Sequence, residues 1–304
     1  MKRMFVFTLM FLSTAMLAAC SETEDTERLQ VVATTTFVGD MVEQIAGDLI
    51  DLHVMMGPGI DPHDYVPTQS DTARLQAADL VVVNGLNLEE RMGQVLANLG
   101  EDKVLVLGDY ISESSRLLEE DSDEAFDPHI WFDLPLWSTL PPIVASRLGA
   151  LAPEHASTFN ARAEAYVGDL RMLDGYIRGL VAQIPEENRV LITAHDAFAY
   201  LGRAYGLEVF AIQGISTEGE ASIADIEALA QLMKDRQVTK VFFETTIPEA
   251  TINALVEAAT ALDHEASVGG SLFSDATGSF EEGLDTLMRA MRHNMETILS
   301  ALGA

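Results

Sequence analysis

Thiols and positive charge are scarce in this sequence. A single cysteine, Cys20, stands among 304 residues, which excludes an intrachain disulfide and any cysteine-built metal centre; a metal would have to be held by His, Asp or Glu. Lysine and arginine number 18 against 48 acidic residues, a formal charge of -30. A surface of that sign repels nucleic-acid phosphates and anionic headgroups, so no nucleic-acid partner is expected. No apolar run reaches the roughly 20 residues with which a helix crosses a bilayer. The chain also lacks a G-x-x-x-x-G-K-[ST] phosphate loop and an H-E-x-x-H metal helix. Short-period repeats and low-complexity tracts are absent as well.

With 48% hydrophobic residues, a chain of this length can bury a large core and is expected to divide into two lobes. Its first twenty residues, "MKRMFVFTLMFLSTAMLAAC", place two basic residues before an apolar run and small residues before Cys20, the pattern of an export signal over residues 1–19. Leu17-Ala18-Ala19-Cys20 looks like a bacterial lipobox, in which Cys20 is lipidated and becomes the first mature residue. Multiple acyl chains would anchor the protein stably to a membrane. The alternative is cleavage near Ala19 with an unmodified thiol. Residues 20–28 are short, charged and without apolar periodicity, as a tether requires. The expected location is outside the cytoplasm, in the periplasm or at the cell surface.

From residue 29 the β-rich runs "LQVVATTT", "LIDLHVMM", "DLVVVNG" and "KVLVLGD" alternate with the helical patterns "FVGDMVEQIAG", "QSDTARLQAA" and "LEERMGQVLANLG". That alternation predicts βαβ units on a parallel sheet, an N-terminal lobe over 29–152. Residues 153–185 carry Phe159, Ala163, Tyr166, Leu170, Leu173 and Ile177 at steps of three and four, one face of a helix of about 45 Å. Two shorter helices broken near Gly168 or Gly175 are the alternative, since an interior glycine costs about 1 kcal/mol relative to alanine. Over 186–304 the theme repeats with "RVLITAH", "LEVFAIQG", "KVFFETT" and "HEASVGG" as strands of a second parallel sheet. Helices are expected near Phe198, Ser222 and Pro248, with Ser222 as an N-cap and Asp225 in the first turn.

Open α/β sheets bind ligands beyond the carboxyl ends of their strands. That rule selects His63 in "DPHDYVPT", His129 in "FDPHIWFD", His195 in "VLITAHDAFAY" and Asp275 in "GGSLFSDATG", two from each half. Imidazole nitrogen and carboxylate oxygen suit zinc at about 2.0–2.2 Å, and four protein ligands match a closed tetrahedral site. His53 inside a strand, His155 near a helix start, His264 before a strand and His293 on the last helix are better explained as packed or capping residues.

Together with "IQGISTEGEAS" and "FFETTIP", these segments resemble, in order and spacing from about residue 29 to the C-terminus, the substrate-binding lipoproteins of bacterial zinc and manganese ABC transporters. The resemblance implies an α/β fold of two (β/α)4-type lobes with parallel sheets, joined by one long rigid helix, with one metal ion in the interlobe cleft. Motif by motif it assigns His63, His129, His195 and Asp275 as ligands, the set that strand ends select. It also implies an ABC permease with a separate ATPase subunit as partner, and a monomer is expected. Asp127, Asp133, Asp196 and Glu244 are candidates to orient the ligating rings, as metal-bound histidines require; each could equally be a helix cap or a solvent contact.

Three nitrogens and one oxygen favour Zn2+ over Mn2+. Some relatives of this kind carry a carboxylate at the position of His195, which goes with manganese, and this chain does not. The long His-rich loop of many zinc-specific relatives is replaced by the acidic segment 111–127. Two other functions stand beside metal capture. A metal-dependent hydrolase would keep one coordination position open for water and need a nearby base; a surface adhesin lipoprotein would need neither.

Overall fold

The computed structural model describes residues 28–119, 125–219 and 221–303. The export signal, Cys20, the tether up to residue 27 and part of the acidic segment 111–127 lie outside the described residues. In the first half β1 (Leu29–Ala33), α1 (Thr36–Ala46), β2 (Ile50–Val54), α2 (Gln69–Ala77), β3 (Leu80–Val83), the short α3 (Gly93–Ala97) and β4 (Val104–Val106) follow one another. Their four strands form one parallel sheet in the order β2-β1-β3-β4. The β3 run of Leu and Val is buried at every residue, as expected of a strand covered on both faces. Thr35 starts α1 by accepting the Val38 N–H on its side chain, and the helix lays Phe37, Val38, Met41, Val42 and Ile45 into the core.

After β4 the chain crosses α4 (Leu134–Trp137) and α5 (Pro141–Leu151) to α6 (Ala156–Val181). This is one unbroken helix of 26 residues, about 39 Å long. Neither Gly168 nor Gly175 interrupts it, and the six apolar residues of the periodic stripe are all buried. Packing of that stripe outweighs the cost of the interior glycines. By contrast, the helical pattern predicted over "LEERMGQVLANLG" yields only a 3-10 turn at Glu90–Met92 and the five residues of α3. Gly93 and the nearby Gly100 leave too short a run for a longer helix.

The second half runs β5 (Val190–His195), α7 (Ala199–Tyr205), β6 (Glu208–Gln213), α8 (Ile223–Arg236), β7 (Lys240–Glu244), α9 (Ala250–Ala261), β8 (Ser267–Leu272) and α10 (Leu287–Leu302). Ser222 caps α8 with a reciprocal Asp225 contact. All strand pairings are parallel, but they fall into two pairs, β5 with β6 and β7 with β8. β5 and β7 lie side by side, and at their carboxyl ends the Glu244 carboxylate accepts the N–H groups of Ala194 and His195 at 2.7 and 2.9 Å. A side chain therefore takes over where a ladder would otherwise continue. Beside it, β8 passes under α10 at Gly269 and Gly270. A Cβ on Gly270, whose φ is +152°, would sit 2.4 Å from Thr297 Cγ2, so glycine is what lets the last helix approach the strand that leads to Asp275.

One buried cluster runs through both halves, joining Phe37, Trp131 and Trp137 to Tyr200, Leu272 and Met291, with α6 supplying Phe159, Tyr166, Leu170 and Ile177. Two smaller clusters cover the outer faces, one in each half. The halves are tied further by Asp40 of α1. It accepts the Leu287 N–H that opens α10 at 3.0 Å and the Tyr166 hydroxyl at 3.2 Å.

Candidate metal centre

The carboxyl ends of the strands point their loops at one another, and four of the selected side chains meet there. One possible ligand atom from each of His63, His129, His195 and Asp275 lies within 4.8 Å of the others, and all four residues are buried. The closest approaches are 3.3 Å between His63 Nε2 and His129 Nε2, 3.3 Å from His129 Nε2 to Asp275 Oδ1, and 3.2 Å from His195 Nε2 to Asp275 Oδ2. Four donors within 4.8 Å of one another, with closest approaches of about 3.3 Å, leave space for one small cation among them. His195 Nε2 and Asp275 Oδ1 are buried with no hydrogen-bond partner of suitable geometry. Buried polar atoms left in this state are costly unless something binds them.

Each member of the cluster is set by its local sequence. His129 follows Asp127-Pro128, and Asp127 Oδ1 accepts both its backbone N–H at 2.8 Å and its ring Nδ1–H at 2.7 Å. The next three residues, Ile130, Trp131 and Phe132, form a buried 3-10 turn that fixes the loop. Trp131 stacks on Phe37 at 5.0 Å and donates its indole N–H to the Ser274 carbonyl at 3.0 Å, next to Asp275. His195 ends β5, its Nδ1 2.6 Å from Glu244 Oε2, so Glu244 touches both the ring and the backbone of this histidine. Asp275 receives the Thr246 hydroxyl at 3.2 Å. His63 is the least enclosed of the four, with 4% exposure, and its backbone N–H is held by Asp61 Oδ1 at 2.9 Å.

The electrostatics divide the cluster. Burial opposes protonation of His129, but Asp127 and Asp275 outweigh it and lift its pKa to about 9. Burial is likewise outweighed at His195, where Glu244 and Asp275 raise the pKa well above the ordinary histidine value. Burial would raise the Asp275 pKa, yet the two imidazoles facing it hold it well below the usual carboxylate range. His63 goes the other way: burial, followed by the positive neighbours His129 and His195 against the pull of Asp275, lowers it to about 3.

Of the four acids considered as orienting groups, Asp127 and Glu244 contact the rings of His129 and His195. Asp133 does not. It caps α4 by accepting the Leu136 N–H at 3.0 Å and pairs with Arg203 at 2.8 Å, because the α4 start with its early proline needs a capping acceptor. Asp196 is half-buried and lines a separate hollow with Phe210 and Gln213. The remaining histidines stay outside the cluster. His53 is half-buried in β2, His155 closes a 3-10 turn, and the rings of His264 and His293 contact the carbonyls of Val238 at 2.7 Å and Ser271 at 3.1 Å.

Sequence reasoning missed a second tier. Asn84, after β3, donates to the Pro128 carbonyl at 2.9 Å and so holds the His129 loop. Its own N–H and that of Gly85 are fixed by the buried Glu89 carboxylate, which also takes the Thr34 hydroxyl at 2.6 Å. Tyr200 of α7 accepts the Leu117 N–H and donates to the Asp127 carbonyl at 3.1 Å. The only signal for Asn84 and Glu89 was their place just beyond a strand end.

Two parallel α/β halves on one long helix, with three imidazoles and a carboxylate brought together where their loops meet, define the class of metal-binding substrate-binding proteins. The chain belongs to the family described as zinc-uptake complex component A, periplasmic, whose profile matches residues 31–301. Among curated relatives it is 42% identical to the zinc-binding protein TroA of Treponema pallidum, over 90% of this chain and 88% of that protein. It is 40% identical to the manganese-binding lipoprotein MntA of Bacillus subtilis, over 91% and 90%. The solved structure of the Treponema pallidum periplasmic zinc-binding protein TroA superposes with a TM-score of 0.88 at 40% identity, covering 90% of this chain and 99% of that one.

Proposed function

We propose that this protein captures a divalent transition metal ion outside the cytoplasmic membrane and hands it to an ABC permease driven by a separate ATPase subunit. Residues 29–152 and 186–304 act as two lobes on the 153–185 spine, and lipid on Cys20 holds the mature chain, most simply a monomer, at the membrane. The observation that carries this reading is the buried cluster itself: three imidazoles and one carboxylate from one strand end and three loops, close enough together for a small cation. The relatives named as a zinc-binding protein and a manganese-binding lipoprotein support it.

Zinc is the favoured cargo. Three imidazole nitrogens and a single carboxylate match its ligand preference, and zinc exceeds manganese in affinity order at such sites. Manganese is the second reading, for a specific reason: both oxygens of Asp275 face the cluster, so the carboxylate can supply a fifth donor. Binding, not catalysis, is the function this arrangement serves, since four protein donors at or below 4% exposure leave little room for a reacting water. Protein purified without added metal is expected to carry about one ion per chain, as four converging donors form one site. Elemental analysis followed by zinc–manganese competition checks this. A preparation that takes up neither ion would end the proposal, and manganese displacing zinc would reverse the choice of cargo.

In this reading Asp127 and Glu244 fix the tautomer and direction of His129 and His195. Glu244→Gln is expected to weaken zinc binding about 10- to 100-fold, the usual cost of losing an orienting partner of a ligand. Chelator competition measures it, and an affinity within twofold of wild type would show that the Glu244 charge is not used.

A further inference from the structure

The two loops nearest His63 are tied to each other across the halves. Asp61 holds the His63 backbone N–H with Oδ1 at 2.9 Å, and with Oδ2 it accepts the Thr217 hydroxyl at 2.6 Å. Thr217 lies in the segment 214–219 that follows β6 in the other half. A second tie runs alongside: Arg91 of the first half reaches Asp64 at 2.8 Å and Glu218 at 2.5 Å. The segment is braced at its neck, where Gln213 Nε2 donates to the Gly219 carbonyl at 2.6 Å. Ile215 and Ser216 line a small recess of about 70 Å³ whose wall includes His63, Leu86 and Phe126. The segment thus forms the outer wall over His63, the least enclosed of four buried residues.

We propose that Thr217 is a positioning residue for His63, and that the Thr217–Asp61 bond is a clasp that sets how long a captured metal ion stays. This rests on the reading of the four-residue cluster as the metal site. His129 and His195 are held by the buried carboxylates of Asp127 and Glu244, and Asp275 is itself buried against both of their rings. His63 is carried by a loop whose carboxylate anchor is shared between the halves. An ion leaving the cluster must lose its ligands in some order, and the first to go is the one whose support is weakest and most exposed. While Thr217 holds Asp61, the 61–63 backbone stays in place and His63 remains directed at His129. Without that hydroxyl, the loop is free to swing the imidazole out. The Arg91 ties are about 40% exposed on the arginine side, so solvent and salt weaken them, and they play a minor part.

The test is the release rate of zinc from the full-length protein, read with an excess of a chromophoric chelator. Thr217→Val, which keeps the shape and removes the hydroxyl, is expected to release zinc about tenfold faster, the effect of losing one hydrogen bond to a charged group. Thr217→Ser is expected to restore the wild-type rate, a rescue that a merely structural threonine would not require. Thr217→Ala, which also removes the hydroxyl, should repeat the acceleration. Arg91→Ala should change release less than about threefold, with the difference vanishing in high salt. Release from Thr217→Val and Thr217→Ala within twofold of wild type would overturn the clasp, and so would a Thr217→Ser protein as fast as Thr217→Val. Failure of the wild-type protein to bind zinc or manganese would instead overturn the metal-site reading on which the clasp depends.

Discussion

His129→Ala is expected to weaken zinc binding by roughly 100- to 1000-fold, while His293→Ala leaves it unchanged. Structural zinc sites contribute about 10–16 kcal/mol of apparent binding energy over four ligands, so one donor is worth roughly 3 kcal/mol. His129 is the residue at which that figure is best isolated. Its loop is held by bonds that do not need the ring: Asp127 to the residue 129 N–H at 2.8 Å, Asn84 to the Pro128 carbonyl at 2.9 Å, and Trp131 to the Ser274 carbonyl at 3.0 Å. Truncation therefore removes a donor and leaves the loop in place. His293 has a ring of similar chemistry, but it sits on α10 against the Ser271 carbonyl and the edge of Phe273. Its loss touches packing and not the cluster. Competition against a chelator of known affinity distinguishes the two variants, and equal affinities for both would remove His129 from the site.

How much of this could be read from the residues differs by the range of the interaction. The βαβ alternation, the long helix and the Ser222 cap are local patterns, and each appears in the structure. The meeting of His63, His129, His195 and Asp275 was legible because strand ends in parallel sheets share one rim, and because the motifs around them resemble a known family. The role of Asp133 was also written locally: an acid followed two residues later by Pro135 marks a helix start, and the helix cap held open as the alternative for this residue is what the structure shows. What was illegible depends on where the two halves sit relative to each other. Thr217 is 156 residues from Asp61, and Trp131 is 143 from Ser274. No spacing rule connects such pairs, since their contact follows from the shared core that seats one half on the other.

That shared core also explains why buried acids can be used so freely around the cluster. Asp127, Glu244 and Asp275 are each at most 4% exposed, a placement that is costly for an isolated carboxylate. Each is instead committed to a histidine or to backbone N–H groups, so the rings are pre-aimed at the cost of drawing protons. A site arranged this way is charged before the ion arrives, and the proton becomes the competitor of the metal.

The consequence is a steep pH dependence, with a sign set by which rings hold protons in the metal-free protein. His129 keeps its second proton up to about pH 9 and His195 is raised well above the ordinary value. His63, lowered to about 3, is already neutral at pH 7. An incoming ion must expel the Nε2 protons of His129 and His195, whereas their Nδ1 protons stay with Asp127 and Glu244. Loading at neutral pH is therefore expected to release about two protons per ion. Because protonation occurs only in the metal-free form, affinity rises with pH until His129 titrates near 9, and falls as pH is lowered. Two protons over two pH units give about ten-thousandfold weaker zinc binding at pH 5.5 than at pH 7.5. Calorimetric titration in buffers of different protonation enthalpy counts the protons, and competition at both pH values gives the slope. Asp127→Asn provides the internal control. Without the carboxylate the His129 pKa drops, so fewer protons should be released and the slope should be shallower. Affinity that stays level between these pH values, or release of no protons, would mean that the imidazoles of His129 and His195 are not the groups the metal displaces protons from.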